Sequence, residues 1–216
     1  MVLHHTMFDY LPLVDSPILS MSSLPPIEHH PLRPFLPPNA RLLMLGSFPP
    51  PIRRWSMNFF YPNLQNDMWR IFGHLYFNRT DYFIDPQTHC FNQPLLESFL
   101  RDKGIALYDT ASAVRRLKEN ASDKYLEIAI PTDIVELLSQ IPDCKAIATT
   151  GQKATEAVCQ QFQVDQPPIG SSVAFSLPTR RCLQLYRMPS SSRAYPLSLE
   201  KKAARYATML RELQML

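Results

Sequence analysis

Aromatic and amide side chains crowd one short segment of the chain, which reads NFFYPNLQNDMW over residues 58–69. The segment follows an apolar run that ends in Gly46-Ser47-Phe48. Phe and Tyr rings stack on flat ligands, and Asn side chains donate and accept hydrogen bonds at ring edges. We therefore predict a pocket for a nucleobase, with the alternative that the segment only covers the core. The predicted pocket residues are Gly46, Ser47, Phe48, Phe60 and Tyr61.

A second polar loop near the C-terminus has the composition of a phosphate-binding loop. Three serines and an arginine follow Met188 and Pro189. Hydroxyls, backbone N–H groups and a guanidinium can hold phosphate oxygens without reading a base sequence. The alternative is an ordinary Ser-rich cap for the next helix. The residues predicted to bind a nucleic-acid backbone are Pro189, Ser190, Ser191, Ser192 and Arg193.

The distribution of charge favours a polyanionic partner more than the net charge does. The net charge is only +3, but the stretch from Ser176 to Leu216 holds eight basic residues and two acidic ones. A basic surface beside a base pocket is what binding to a polyanion requires. A basic helix face that is merely exposed to solvent is the alternative.

The remaining composition narrows the class of protein. With 216 residues, of which 45% are hydrophobic and 19% charged, the chain has the size of one globular domain, and no long apolar run predicts a membrane span. The four cysteines include no C-x₂-C pair, so we expect reduced thiols, no metal and no cofactor. The first residues lack a signal-peptide pattern, from which we expect a cytoplasmic location.

Four short apolar runs predict buried strands, and the segments between them have helical spacing. This alternation favours a three-layer α/β/α sandwich around a short, mainly parallel four-stranded sheet. Parallel strands end at one edge, so the polar groups that follow them should meet there. The predicted strands are Leu42–Leu45, Ile105–Tyr108, Ala146–Ala148 and Leu183–Arg187. The predicted helices are Asn66–Phe77, Gln93–Lys103, one that Thr132 caps and Pro142 ends, Gln152–Phe162 and Leu197–Leu216.

Proline is unusually frequent, with 21 residues against five glycines, and it is concentrated in the front of the chain. We therefore expect residues 1–35 to form a proline-rich arm and residues 36–216 to form the folded domain. Two adjacent histidines of the arm, His29 and His30, are interpreted as ordinary loop residues rather than metal ligands.

Two segments, LMLGSFPP…FFYPNLQNDMWRIFG and RMPSSSRAYPLSLEKKAARY, resemble the signature regions of the uracil-DNA glycosylase superfamily. Within it they are most similar to the hypoxanthine-DNA glycosylase branch, which has a G-S-x-P-G loop, a Y-Y-x-H-P-R-N-x-F-W segment and a late P-S-T-S-like loop. GIALYDT and IPTDIVELL also match that branch in position and character, so the resemblance extends from about Arg33 to the C-terminus.

The resemblance implies a glycosylase-like fold and a monofunctional DNA N-glycosylase that removes uracil or hypoxanthine and leaves an abasic site. It implies DNA as the partner, no membrane and a monomer, and it maps the proposed catalytic Asn of the branch onto Asn66. The chain departs from the family pattern at Phe48, where many members have a water-orienting Asn or Asp, and at Pro50, Asn63, Leu64 and Gln65. The alternatives are a catalytically silent nucleic-acid-binding relative and a hydrolase of small nucleosides.

The reaction that the resemblance implies breaks the bond between a base and a sugar. This puts positive charge on the sugar and negative charge on the base, so it needs donors for the base and an oriented water. For such a reaction Asn66 could hold the water or donate to the base, although it could also cap a helix that begins there. Asp109 could stabilise a cationic sugar or activate water, or it could only form a turn. Asp67 is a reserve candidate.

Overall fold

The computed structural model describes residues 24–118 and 123–216. The strands are β1 (Ile27–His29), β2 (Leu42–Gly46), β3 (Ile105–Asp109), β4 (Ala111–Arg116), β5 (Leu126–Pro131), β6 (Ala146–Thr150), β7 (Ser172–Ser176) and β8 (Cys182–Met188). The helices are α1 (Met68–Phe77), α2 (Gln93–Lys103), α3 (Ile134–Ser139), α4 (Gln152–Phe162) and α5 (Leu199–Glu212). Short 3₁₀ helices span Ile52–Arg54 and Asp123–Tyr125.

The larger sheet has five strands in the order β3-β2-β6-β8-β7. The first four run parallel, which confirms the strands predicted from the apolar runs. The prediction of a four-stranded sheet is wrong, because β7 adds an antiparallel edge strand beside β8. Within β7 only Phe175 is buried, so its sequence lacks the continuous apolar run that marks the other strands.

Helices cover this sheet and fix the positions of its strand ends. Every residue of β2, β3 and β6 is buried, which requires cover on both faces. α2 packs against β3, α4 against β6 and α5 against β8, while α1 packs on α5. The predicted class, a mixed α/β fold, is therefore confirmed. Among the described helices, none combines the length and the apolar character that a membrane crossing needs.

A second sheet contains three antiparallel strands in the order β1-β4-β5, and the sequence did not predict it. Its strands are only partly buried, so they carry no continuous apolar run. The pairing is also distant in sequence, since Glu28 lies opposite Val114. β4 begins two residues after β3 ends, which places this sheet beside the carboxyl end of β3.

The described part of the predicted arm, residues 24–35, lies against the rest of the protein. β1 pairs with β4, and Phe35 exchanges two backbone hydrogen bonds with Leu107, of 3.0 and 2.9 Å. The ring of Phe35 is buried in the core. Residues 1–23 lie outside the described residues, and the division at residue 35 stays a prediction.

Helix bounds agree closely with the sequence patterns, with one informative exception. α2 and α4 have the predicted bounds, while α1 and α5 each begin two residues later than predicted and α5 ends at Glu212 instead of Leu216. α3 is capped by Asp133, which accepts a hydrogen bond from the Glu136 N–H (2.9 Å), so the prediction of Thr132 as the cap is wrong. The Thr132 hydroxyl instead donates to the Asp109 carbonyl oxygen (2.7 Å) and fixes the end of β3.

Candidate functional site

A cavity of about 770 Å³ opens at the carboxyl ends of the parallel strands. Each of the four strands contributes to its lining, at its last residue or in the loop just after it, through Gly46, Asp109, Thr150 and Ser190. The structure brings all but one of the predicted site residues to this cavity: Gly46, Ser47, Phe48, Phe60, Tyr61, Asn66, Asp109, Ser190, Ser191, Ser192 and Arg193.

The exception is Pro189, which is buried behind the loop. Its carbonyl oxygen accepts a hydrogen bond from the hydroxyl of Tyr206 (3.2 Å), and Tyr206 is fully buried in α5. Burial raises the pKa of Tyr206 well above its ordinary value, so the hydroxyl keeps its proton and remains a donor. Pro189 therefore anchors the loop on α5.

The carboxylate of Asp109 lies against the end of β2. A Cβ atom added at Gly46 would collide with Asp109 Oδ1, so only glycine leaves room for this carboxylate. Residue 46 and residue 109 are paired neighbours at the ends of two parallel strands. The Gly-Ser dipeptide that marks the strand end in the sequence thus has a steric role beside the candidate carboxylate.

His30 holds the other oxygen of that carboxylate, a contact that sequence reasoning missed. Its Nε2 lies 2.8 Å from Asp109 Oδ2, and its side chain is 2% exposed. The imidazole packs on Tyr108 (ring centroids 4.6 Å apart) and on the edge of Phe48 (5.2 Å). The two paired residues are 79 positions apart, and no local pattern in the sequence identifies such a contact.

Asn66 caps α1 and also faces the cavity. Its Oδ1 accepts a hydrogen bond from the N–H of Met68 (2.9 Å), which is the capping arrangement considered as the alternative. Its Nδ2 makes no hydrogen bond to any residue in 24–118 or 123–216 and is available to a ligand. The backbone of Asn66 also pairs with that of Ser192. The aromatic segment (residues 58–69) and the serine loop (residues 189–193) therefore form one wall of the cavity.

Asp67, the reserve candidate, is used to hold this wall together. Its Oδ1 accepts from Arg193 Nε (3.0 Å), and its Oδ2 accepts from Lys202 Nζ (2.9 Å). Lys202 is 1% exposed and donates to the Ser192 carbonyl oxygen as well (2.8 Å). Its position four residues before Tyr206, on the buried face of α5, is the signal that could have predicted this role.

Phe48 and Phe60 are apolar and largely buried beside the candidate carboxylate. Phe48 packs with Ala111, Val114 and Leu126, and Phe60 contacts the ring of Tyr108. Neither side chain can orient water by hydrogen bonding. The two rings make the floor of the cavity apolar around the His30–Asp109 pair.

The side chain of Tyr61 contacts the end of β6. Its hydroxyl lies 3.0 Å from Thr150 Oγ1 at the end of β6, and its ring meets Trp69 edge-on with centroids 5.8 Å apart. Its backbone has a φ of 48°, a left-handed conformation that is uncommon for an aromatic residue. This strained turn directs the ring of Tyr61 to the cavity wall.

Three cations line the cavity: Arg54, Lys124 and Arg193, all exposed. Much of the basic C-terminal stretch has structural partners instead. Arg181 donates to the carbonyl oxygens of Leu138 (2.9 Å) and Ile141 (3.0 Å), and Lys202 is paired with Asp67. The positive charge beside the cavity therefore comes largely from other parts of the chain.

Arg116 connects the arm to the loop after β2. Its guanidinium forms a two-pronged ion pair with Glu28 of β1 (3.0 and 3.2 Å) and donates to the Pro49 carbonyl oxygen (3.1 Å). These bonds fix the loop that carries Phe48 to the strand that precedes His30. Within residues 24–118 and 123–216, no three or more His, Cys, Asp or Glu residues are grouped closely enough to bind a metal.

A solved structure has a similar fold. It is a solution NMR structure from Methanosarcina acetivorans described as a "putative Uracil DNA glycosylase", with a TM-score of 0.59 and 20% sequence identity. The match covers 87% of this chain and 99% of the other. Neither a protein-family model nor a curated protein sequence matches this chain. At 20% identity, the likeness establishes that the chain has the fold of this glycosylase-like structure.

Proposed function

We propose that this protein is a DNA N-glycosylase that removes a deaminated base, uracil or hypoxanthine, and leaves an abasic site. The observation that carries the proposal is the meeting of an oriented carboxylate, Asp109, with a free amide donor, Asn66, in one cavity at the strand ends. The fold shared with the Methanosarcina structure supports the same class of reaction. The cavity volume also falls within the range of about 300–1,000 Å³ typical of ligand pockets.

The proposed reaction uses the polar side chains that line the cavity. When the bond between C1′ and the base nitrogen breaks, its electron pair leaves with the base and positive charge develops on the sugar. Asp109 Oδ1 stabilises that charge and takes a proton from the attacking water. Asn66 Nδ2 donates to the base as it becomes negative.

The surrounding elements bind the extruded nucleotide. Tyr61 offers its ring at the cavity wall, and base–aromatic stacking contributes about 1–3 kcal/mol per base. The hydroxyls of Ser190 and Ser192 and the exposed guanidinium of Arg193 hold the flanking phosphates. Arg54 and Lys124 add positive charge at the mouth, so the substrate is a polyanion and a free nucleoside is a poor substrate.

A cleavage assay on labelled oligonucleotides tests the proposal. The strands carry uracil, hypoxanthine or xanthine, each as single and double strands, and the matching free nucleosides are tested in parallel. We expect alkali-labile breaks at one or more of these bases with the wild-type chain and at least about 100-fold fewer with Asp109→Asn. Turnover of nucleosides but not of DNA would favour the small-nucleoside hydrolase.

One observation favours a second candidate function. Phe48 occupies the place where many superfamily members have a water-orienting Asn or Asp, and its ring is buried in an apolar cluster. A chain that only recognises altered DNA could keep the cavity and the serine loop without chemistry. Salt-dependent binding to all the oligonucleotides above, with no breaks in any of them, would favour this silent relative.

A further inference from the structure

His30 lies directly behind the candidate carboxylate and does not line the cavity. It is the residue next after β1, and its backbone N–H donates to the Ser112 carbonyl oxygen of β4 (2.9 Å). Its buried ring lies among Phe48, Tyr108 and Phe60. A buried imidazole with no access to the cavity can influence a substrate only through the group that it contacts, which is Asp109.

The second ring nitrogen of His30 is also fixed. Nδ1 lies 3.1 Å from the backbone nitrogen of Leu32 and 2.9 Å from its carbonyl oxygen. In the neutral ring with its proton on Nε2, Nδ1 accepts from the Leu32 N–H, and Nε2 donates to Asp109 Oδ2. With a proton on Nδ1 as well, that nitrogen would donate to the Leu32 carbonyl oxygen, so Nε2 presents a donor to the carboxylate in either form.

We propose that His30 is the positioning residue for Asp109, an inference that rests on the glycosylase function proposed above. The hydrogen bond from Nε2 to Oδ2 prevents rotation of the carboxylate and leaves Oδ1 at Gly46 as the oxygen for the reaction. Hydrogen bonds to ionised groups are about twice as strong as neutral ones, so a single bond of this kind suffices to hold the group. A part of the proline-rich arm thereby belongs to the active site.

In the proposed reaction the two carboxylate oxygens of Asp109 have different roles: Oδ1 takes a proton and Oδ2 accepts the hydrogen bond from His30. The water oxygen forms its bond to C1′, the bond to the base nitrogen breaks, and Oδ1 takes the water proton. The base takes a proton from solvent, and Asp109 then returns its own proton to solvent. His30 keeps its proton on Nε2, from where it donates a hydrogen bond to Oδ2 throughout, so it acts on the geometry of the step and exchanges no proton.

Two substitutions separate positioning from mere packing. His30→Gln retains an N–H donor at nearly the same reach as Nε2, whereas His30→Leu fills the space without a donor. We expect His30→Leu to slow single-turnover base release about 10- to 100-fold, because a displaced catalytic group can cost about 100-fold. His30→Gln should remain within about fivefold of wild type. The matched control is His29→Leu, an exposed neighbour that should leave the rate unchanged.

A double-mutant cycle and a binding measurement complete the test. If His30 acts through Asp109, then His30→Leu causes no further loss in an Asp109→Asn background, and the Kd for lesion DNA is unchanged in both. Equal losses for His30→Gln and His30→Leu, or fully additive losses with Asp109→Asn, would overturn the positioning role. If the wild type is active and His30→Leu is equally active, the positioning role is overturned and the glycosylase function stands. If the wild type is inactive, both proposals are contradicted.

Discussion

Asp109 and Asn66 both line the cavity, and in each side chain one polar atom already has a hydrogen-bond partner. Asp109 Oδ2 is held by His30, and Asn66 Oδ1 is held by the N–H of Met68. What remains is one anionic oxygen and one neutral donor, the complement of a cationic sugar and an anionic base. Under the proposed function, Asp109 at the end of β3 therefore supplies the polar group that the apolar ring of Phe48 cannot.

The two roles of Asn66 can be separated by substitution. Asn66→Asp keeps an oxygen for the Met68 N–H but removes the N–H donor, whereas Asn66→Ala removes both. We expect Asn66→Ala to lower the free energy of unfolding by about 1 kcal/mol, and Asn66→Asp to change it by about 0.5 kcal/mol or less. Both should slow base release about 100-fold or more. Urea unfolding and single-turnover kinetics measure the two effects, and a fully active Asn66→Asp would show that the amide donor is dispensable.

Among the secondary-structure elements, α5 holds the serine loop and the N-terminus of α1 together, because Lys202 of α5 contacts both. Asp67 and Lys202 form a buried ion pair, and the Asp67 N–H donates to the Ser191 carbonyl oxygen (2.8 Å). Removing one partner of such a pair leaves the other buried charge without full compensation. The wall of the cavity thus depends on a residue of α5 that does not line it.

Lys202→Met tests this support. We expect the free energy of unfolding to fall by about 3–5 kcal/mol, the usual cost of breaking a buried pair by removing one partner. The control is Lys201→Met at the exposed neighbouring position, where a change of about 0.5 kcal/mol or less is expected. In an Asp67→Asn background the cost of Lys202→Met should shrink, because the carboxylate that would lose its buried cation is absent. An equal cost in both backgrounds would contradict the proposed support.

The sequence predicts the elements that have a clear local pattern, such as a continuous apolar run or a residue that ends a helix. The four parallel strands are continuous apolar runs, and α2 ends at Gly104, whose φ of 66° closes the helix as expected. The antiparallel strands β1, β4 and β5 are only partly buried, and β1 pairs with β4 across a long stretch of chain, so no continuous apolar run reveals them. For the same reason, Asn66 and Asp109 can be proposed from sequence, but His30 cannot.

At the scale of the whole molecule, the cavity and its cations lie at one edge of the larger sheet. Arg54 follows the loop after β2, Lys124 precedes β5 and Arg193 follows β8. Three separate parts of the chain therefore contribute positive charge around one opening. A long polyanion that lies across this edge could contact all of them at once.

The salt dependence of DNA binding tests that arrangement. Each phosphate contact contributes about one unit to the slope of log K against log salt concentration. We expect Arg54→Gln and Lys124→Gln each to reduce the slope by about one, irrespective of the base present in the strand. Lys145→Gln is the control, because Lys145 is exposed at the amino end of β6, opposite the cavity. A slope that changes equally for all three would place the DNA elsewhere.

Direct quantification of the free base released from lesion DNA tests whether this protein is a glycosylase that uses Asp109. Wild type and Asp109→Asn are compared in single turnover on uracil- and hypoxanthine-containing strands, and binding to the same strands is measured in parallel. We expect the wild type to release one free base for each abasic site formed, and Asp109→Asn to bind equally well but to release the base at least about 100-fold more slowly. Equal release by both chains, or binding without release of any base by the wild type, would contradict this expectation.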